Sequence, residues 1–567
     1  MAAKTYLKSK LTISLFIVVL AASTTAQAKI IYVDDDATGA NDGSSWVDAY
    51  SYLQDALMFA SSGDEIRVAQ GIYKPDDFVL SDRPNLGREE TFQLKNGVAI
   101  KGGYAGLSEP DPNERDIYEY ETILSGDLAG DDIELTNPAD MWGDQSRRYN
   151  SEHVVTGGYV DANAILDGFT ITAGHNGNLG AGMYNRDGNP KVTNCTFTWN
   201  CAEWGGGMGN WSSSPMVIDC NFVCNAAMGG GGIDNVENSN PILINCTLSH
   251  NSGRWLGGGL LNGYAGIGGI ANPILFNCIF NGNSTERYGG GMYNEYSSPI
   301  IVNCTFIGNS AERGGGICSD RGSSPTLTNN ILWSNKAIYG HEIYLPFYSE
   351  QQPSEITVSF SDVQGGVEEV YVETGSFLNW EVGNINADPL FAVPGHWEWS
   401  YWVDGDYHLL PDSLCIDAGD PNYIAEPNET DLDGSPRVMD GDGDGATVID
   451  MGAYEYRLPI PADMRIIPRT ISLRSKGQWI VAFIRLPEEY DVADIDPNSI
   501  LLENEIEPEQ FWPIEYLQIA IAKFNREDVQ PILEVGDIEL TITGRLNDGT
   551  PFEAADTIKV IERGGKK

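Results

Sequence analysis

The stretch Glu286–Asn309 reads ERYGGGMYNEYSSPIIVNCTFIGN, and Glu312–Asn335 follows almost at once as ERGGGICSDRGSSPTLTNNILWSN. The two phrases align residue type against residue type, and the alignment extends in both directions. Its closing asparagine recurs as Asn200, Asn225, Asn251, Asn283, Asn309 and Asn335, at intervals of 25, 26, 32, 26 and 26. Other columns keep that register: Pro190, Pro215, Pro241, Pro273, Pro299 and Pro325; Cys195, Cys220, Cys246, Cys278 and Cys304; Phe197, Phe222, Leu248, Phe280, Phe306 and Leu332. A fixed period with its columns preserved is the signature of a solenoid.

The chemistry of one unit says which solenoid. Short apolar runs such as Ile300-Ile301-Val302 and Thr305-Phe306 are separated by Gly, Asn, Ser and Pro, and no segment carries a helix-length amphipathic pattern. About 25 residues so rich in glycine suit three short strands joined by turns. Stacked at about 4.8 Å, each strand pairs with its copy above and below. Asparagine amides then bond along their own column while rings and thiols fill a narrow interior. The expected fold is all-β: a parallel β-helix over residues 29–456, with regular coils at 164–335. The six extra residues of the long interval fall in Gly263–Pro273 and must leave the stack as a loop. Residues 46–60, apolar at Trp46, Tyr50, Leu53, Leu57 and Ala60, are expected to form a helix within an N-terminal cap at 30–62.

Lys4, Lys8 and Lys10, the run LTISLFIVVLAA and the small-residue site Ala26-Gln27-Ala28 predict a cleaved export signal over 1–28. The product is expected to be extracellular, either secreted or held at the cell surface, with outer-membrane association as one mode of attachment and no transmembrane segment. Against 34 Lys+Arg stand 81 Asp+Glu, a formal net charge of -47. Such a field repels DNA, RNA and polyanionic glycans unless a divalent cation bridges them, so nucleic acid is not an expected partner.

Several motifs sit inside the repeat. The sequons at Asn194, Asn245 and Asn303 recur because they occupy one column. Five of the nine cysteines do likewise, which predicts buried, mostly reduced thiols. Glu203, Glu286 and Glu312 share another column, and carboxyls on neighbouring coils are candidates for acid–base work in glycosidic cleavage. Trp199, Trp204, Trp211 and Trp255 lie near the same turns and are candidate stacking surfaces for sugar rings.

Residues 30–456 resemble the secreted bacterial right-handed parallel β-helix proteins of the pectin-lyase-like superfamily, especially those with a choice-of-anchor Q region. The phrases that carry the resemblance are IYVDDDATGANDGSSWVDAYSYLQDAL, KGGYAG, ETILSGDL, NADPLF, DYHLLPDSLCIDAGDP, DLDGSPRV and DMGAYEY. It implies a right-handed fold and export, with the choice-of-anchor Q like end at about 384–456. It implies no active site. The aspartates and arginine of pectate lyases, and the NTD, DD, GHG and RIK blocks of polygalacturonase-like hydrolases, are not intact; Gly174-His175-Asn176 is only a fragment.

Asp440, Asp442 and Asp444 alternate with glycine, and Asp450 follows, a spacing of hard oxygens that suits a structural Ca²⁺ tying off the solenoid. Met451 stands where an EF-hand loop has its bidentate glutamate. After Pro459, alternating runs at 478–486, 516–524, 538–546 and 552–561 predict a small C-terminal β-sandwich over 457–567, of which an immunoglobulin-like fold is one form. The expected function is non-enzymatic binding of a polysaccharide, a cell-surface glycan or another surface protein. The alternative is a polysaccharide lyase or glycoside hydrolase.

Overall fold

A computed structural model describes residues 28–75, 87–263, 269–427, 429–474, 477–547 and 549–562. The stretch predicted as an export signal, apart from Ala28, and the tip of the Gly263 insertion lie outside them. One coil shows the pattern of the rest. Lys191–Thr193 (sheet A), Thr196–Thr198 (sheet B), Cys201–Trp204 (sheet C) and Met208–Trp211 (sheet D) follow one another along the chain. Each pairs in parallel with its copy one coil on, Lys191 with Met216, Thr196 with Asn221, Cys201 with Ala226 and Met208 with Ile233. Sheet A holds 12 strands, sheets B and D 10 each and sheet C five. The predicted parallel β-helix is therefore present, with a fourth strand added to the expected three where sheet C runs from His175–Leu179 to Ser284–Thr285.

Like residues stack on like. Phe197 and Phe222 lie 4.7 Å apart at 3°, and Phe280 and Phe306 4.4 Å apart at 4°. The interior is closed by Val192, Leu243, Met208 and their copies, all buried; each such side chain contributes roughly 1.5–3 kcal/mol. The closing asparagines are fully buried and bond in sequence, Asn200 to Asn225, Asn251, Asn283, Asn309 and Asn335, each Nδ2 donating to the next Oδ1 at 2.8 to 3.0 Å. The row ends where Asn335 Nδ2 donates to the buried carboxylate of Glu342. A second inner row, Asn185, Asn210, Asn235, Asn262 and Asn294, runs along sheet D.

The sequon asparagines sit at the sheet A to sheet B corner with φ of 52° to 55° at Asn194, Asn245 and Asn303. That left-handed conformation favours Asn among residues with a Cβ, so the repetition of these tripeptides has a backbone cause. All nine cysteines are free thiols, and the five of the repeat column are buried.

At the N-terminal end the helix is shorter than expected, Leu53–Phe59. Tyr50 is held instead by backbone bonds to Tyr32 and Asp34, and Trp46 packs with Tyr32 and Tyr104.

Beyond Phe377–Trp380, the last strand of sheet A, the chain does not seal the end of the stack. Residues 384–456 turn back along the outer face of sheet B, where Phe391, Trp402, Leu409 and Met451 cover Ile279, Ile307 and Ile331. Trp402 lies flat against Gly308, and a Cβ there would sit 2.1 Å from the indole at a φ of 62°. Gly308→Ala is accordingly expected to lower stability by about 2 kcal/mol or more through overpacking and strain. Thermal unfolding with indole fluorescence checks this, and an unchanged melting temperature with an undisturbed Trp402 signal would sink it.

The C-terminal sheet domain is also present. Ile460–Ile467, Thr470–Ser472, Trp479–Arg485, Leu501–Leu502, Gln510–Ile514, Ile519–Asn525, Gly536–Arg545 and Pro551–Ile561 form one continuously bonded eight-stranded sheet. Alternate residues of its strands meet in a single core that includes Ile480, Ala522, Phe524, Ile542 and Phe552, so the sheet curls over on itself.

Candidate functional site: a cleft beneath the 126–150 loop

After Thr122–Ser125 the chain leaves the stack for residues 126–150, a loop with two 3-10 turns, Pro138–Trp142 and Ser146–Tyr149. Its apolar residues Leu135 and Met141 pack on Trp199, Cys201 and Ala226, which anchors the loop over sheet C. Between loop and stack lies a cleft of about 300 Å³, whose apolar lining is Ile133, Leu135, Ala173 and Trp199 and whose polar lining includes Ser125, Asp127, Asp132, Glu134 and Thr172.

Arg147, 4% exposed, organises the polar side. Its Nη1 donates to Trp199 O at 2.8 Å, and its guanidinium pairs with Asp132 and Asp144 at 3.5 Å each. Asn150 Nδ2 donates to Asp132 Oδ2 at 2.9 Å and to Ala173 O at 2.8 Å. Asp127 Oδ1 accepts Gly130 N at 2.7 Å, which folds the turn so that ligand oxygens of Asp127, Asp131 and Asp132 lie within 4.8 Å of one another. Burial pushes the Asp132 carboxyl up. Burial, then the charges of Arg88 and Arg147, push the His175 imidazole down to about 4, so it is neutral at ordinary pH. Asp132 Oδ1, Asn150 Oδ1 and His175 Nδ1 are buried without a hydrogen-bond partner. An indole and aliphatic side chains lining the same cleft as carboxylates and hydroxyls are the chemistry that holds a sugar ring, with apolar contact for its C–H face and polar partners for its hydroxyls.

Of the sequence-predicted residues, Trp199 alone lines this cleft. Trp204 is half-buried over Gly229, Trp211 lies in sheet D, and Trp255 is exposed on sheet C. The four indoles form no single platform. Glu203 and Glu286 are three coils apart, on the order of 14 Å at the strand spacing, because the intervening coils carry Met228 and Arg254 in that column. Glu312 pairs with Arg313 at 3.2 Å and Glu286 is exposed. Glu286 and Glu312 stand on consecutive coils, about 4.8 Å apart at the strand spacing, with Arg287 and Arg313 next to them.

In the aspartate loop, Asp440 and Asp442 meet Asp417, their ligand oxygens within 4.8 Å. Asp444 instead accepts Ala446 N at 2.7 Å, and Asp450 is buried, accepting Asp417 N at 2.7 Å and Tyr456 N at 2.6 Å. These two carboxylates cap backbone and are not part of the cluster. The whole loop belongs to the segment lying along the flank, so a cation there ties that segment and not the solenoid's end. Asp417 escaped the sequence analysis because it lies far upstream in CIDAGDP, outside the glycine-rich run.

The family model described as a right handed beta helix region matches residues 228–345. Among solved structures, pectate lyase Pel9A is 13% identical over 76% of this chain and 96% of its own, with a TM-score of 0.40. A rhamnogalacturonan lyase is 11% identical over 64% and 91%, TM-score 0.31. An alginate lyase from Paenibacillus sp. str. FPU-7 is 14% identical over 63% and 99%, TM-score 0.27. No curated protein matches the chain. The stacked parallel sheets and the matched coils make this chain a right-handed parallel β-helix protein with an appended sheet domain.

Proposed function

We propose that the protein is an exported, surface-associated β-helix protein that binds glycans without cleaving them. The supporting observation is the cleft that Trp199 lines together with Asp127, Asp132 and Glu134. Two of the three carboxylates that line it are engaged, Asp127 by backbone N–H groups and Asp132 by Arg147, and the third is Glu134. Ca²⁺ remains part of the proposal as a structural ion, at Asp417, Asp440 and Asp442, three hard carboxylates that suit it.

The test is calorimetric titration with a panel of neutral oligosaccharides, run beside an assay for reducing-end release. Trp199→Ala is expected to weaken binding about tenfold, the loss of roughly 1.4 kcal/mol of ring contact, while no glycan is cleaved. Cleavage by the unaltered protein that vanishes in Asp132→Asn would replace binding with the polysaccharide lyase or hydrolase alternative.

A further inference from the structure

The turns that follow sheet B and sheet C stack as regularly as the core. Ser284 pairs with Ser310 and Ser310 with Lys336; Leu256 pairs with Tyr288, Tyr288 with Arg313, and Arg313 with Tyr339. The four consecutive turns that contain these residues carry four cations, Arg254, Arg287, Arg313 and Lys336, against two carboxylates, Glu286 and Glu312. This is a local excess of positive charge on a chain whose net charge is -47. Arg313 is held by Glu312 and lies between the rings of Tyr288 and Tyr339, 5.4 and 5.6 Å from their centroids. Lys336 lies over Trp397. Arg254 and Arg287 are exposed, and neither has a carboxylate partner among the described residues. Beside them stand exposed aromatic surfaces: Trp255 at 36%, Tyr339 at 40% and Tyr371 at 42%, the last two in edge contact at 5.4 Å.

We infer that this stripe is a docking surface for a linear anionic polysaccharide lying parallel to the solenoid axis. Charge complementarity selects the occupant. Two guanidiniums without carboxylate partners, in a protein with more than twice as many acids as bases, suit a carboxylate- or sulfate-bearing chain and not a neutral one. The aromatic edges add apolar contact for its rings, and the one-coil period offers a repeating polymer repeating contacts. The global field does not prevent this. At physiological ionic strength charges are screened over about 8 Å, so the distant carboxylates act weakly while a contact ion pair survives. The expectation drawn from net charge alone, that polyanionic glycans are repelled without a bridging cation, is therefore replaced at this face. The stripe shares only the class of ligand with the glycan-binding proposal; its residues are not those of the Trp199 cleft.

The test is affinity electrophoresis of the full chain through gels containing carboxymethyl cellulose or, as a neutral polymer on the same backbone, hydroxyethyl cellulose, with EDTA present. Carboxymethyl cellulose is expected to retard the protein and hydroxyethyl cellulose to do so at least tenfold less. Arg254→Gln with Arg287→Gln is expected to reduce the association constant about tenfold, as is Tyr339→Ala, while Trp199→Ala leaves it unchanged. Equal retardation by both polymers, no retardation by carboxymethyl cellulose, or indifference to the double arginine variant would overturn the inference. If carboxymethyl cellulose fails while neutral oligosaccharides bind through Trp199, the stripe is wrong and the cleft stands. Loss of binding in Trp199→Ala would move the anionic ligand to the cleft and likewise overturn the stripe.

Discussion

Raising the pH from 5 to 8 is expected to lower the melting temperature of this protein by several degrees. Several carboxyls are buried deeply enough to hold their protons late, Asp234 and Glu455 among them. Burial pushes Glu342 up to about 8 and Asp450 up to about 7, and burial also pushes Asp362 up to about 6. In the unfolded chain the same groups ionise near 4. Between those limits the folded state binds more protons than the unfolded one, so stability falls as pH rises and the full penalty is present above pH 8. For Glu342 alone, the rise from 4.5 to about 8 corresponds to at most about 5 kcal/mol. Self-repulsion of the excess acidic charge acts in the same direction, so the variant Glu342→Gln separates the two. Its amide oxygen keeps an acceptor for Asn335 Nδ2 but cannot ionise, and its melting temperature is expected to depend less steeply on pH. A wild-type melting temperature that is flat or rising across this range would refute the assignment.

The second large effect is expected from Asn251→Ala. Asn251 Oδ1 accepts both Nδ2 and the backbone N–H of Asn225, at 3.0 and 3.1 Å. Its own Nδ2 donates to Phe222 O at 2.8 Å and to Asn283 Oδ1 at 2.9 Å. Truncation leaves the backbone N–H and one Nδ2 hydrogen of Asn225 without an acceptor at a site with no solvent access, while Asn283 Oδ1 still accepts the backbone N–H of residue 251 at 3.1 Å. Each orphaned donor costs about 1–3 kcal/mol, so a loss of roughly 2 kcal/mol or more is expected in denaturant unfolding. Hydrogen exchange should show the Asn225 amide losing protection first. A loss below about 1 kcal/mol would mean that the row is ornamental and that apolar stacking alone sets the register.

The columns that make the coil were legible because every residue in them meets its own copy. Asn200 reads as Asn225's partner from the period alone, and so do Phe197 and Phe222. Sheet C was not legible. Its strands, such as Cys201–Trp204, bury two small adjacent residues, Cys201 and Ala202, and so carry no alternation. The course of residues 384–456 was hidden for a different reason. Asp404 finds His250 and Asn281, and Asp420 finds Asn329, across separations of 91 to 154 residues that no local pattern encodes. The cleft was half visible: Trp199 lies in the repeat, but Asp132 and Arg147 sit in an irregular loop whose position depends on Leu135 and Met141 packing elsewhere. The glutamate column was legible as an axial row from the period, whereas the carboxylates of the cleft lie in the irregular loop.

The segment folded along sheet B has a mechanical consequence. It bonds to His250 through Asp404 at 2.7 Å, to Asn281 through Tyr407 at 2.7 Å, lies against Gly308 through Trp402, and reaches Ser334 through Trp397 at 2.9 Å. Those are four successive coils. A force pulling along the axis of a bare β-helix separates one coil from the next, each interface failing in turn. Here the load on those coils is shared by a splint that crosses all three interfaces between them at once, so the part of the stack bearing the basic and aromatic turns resists tension as a single block.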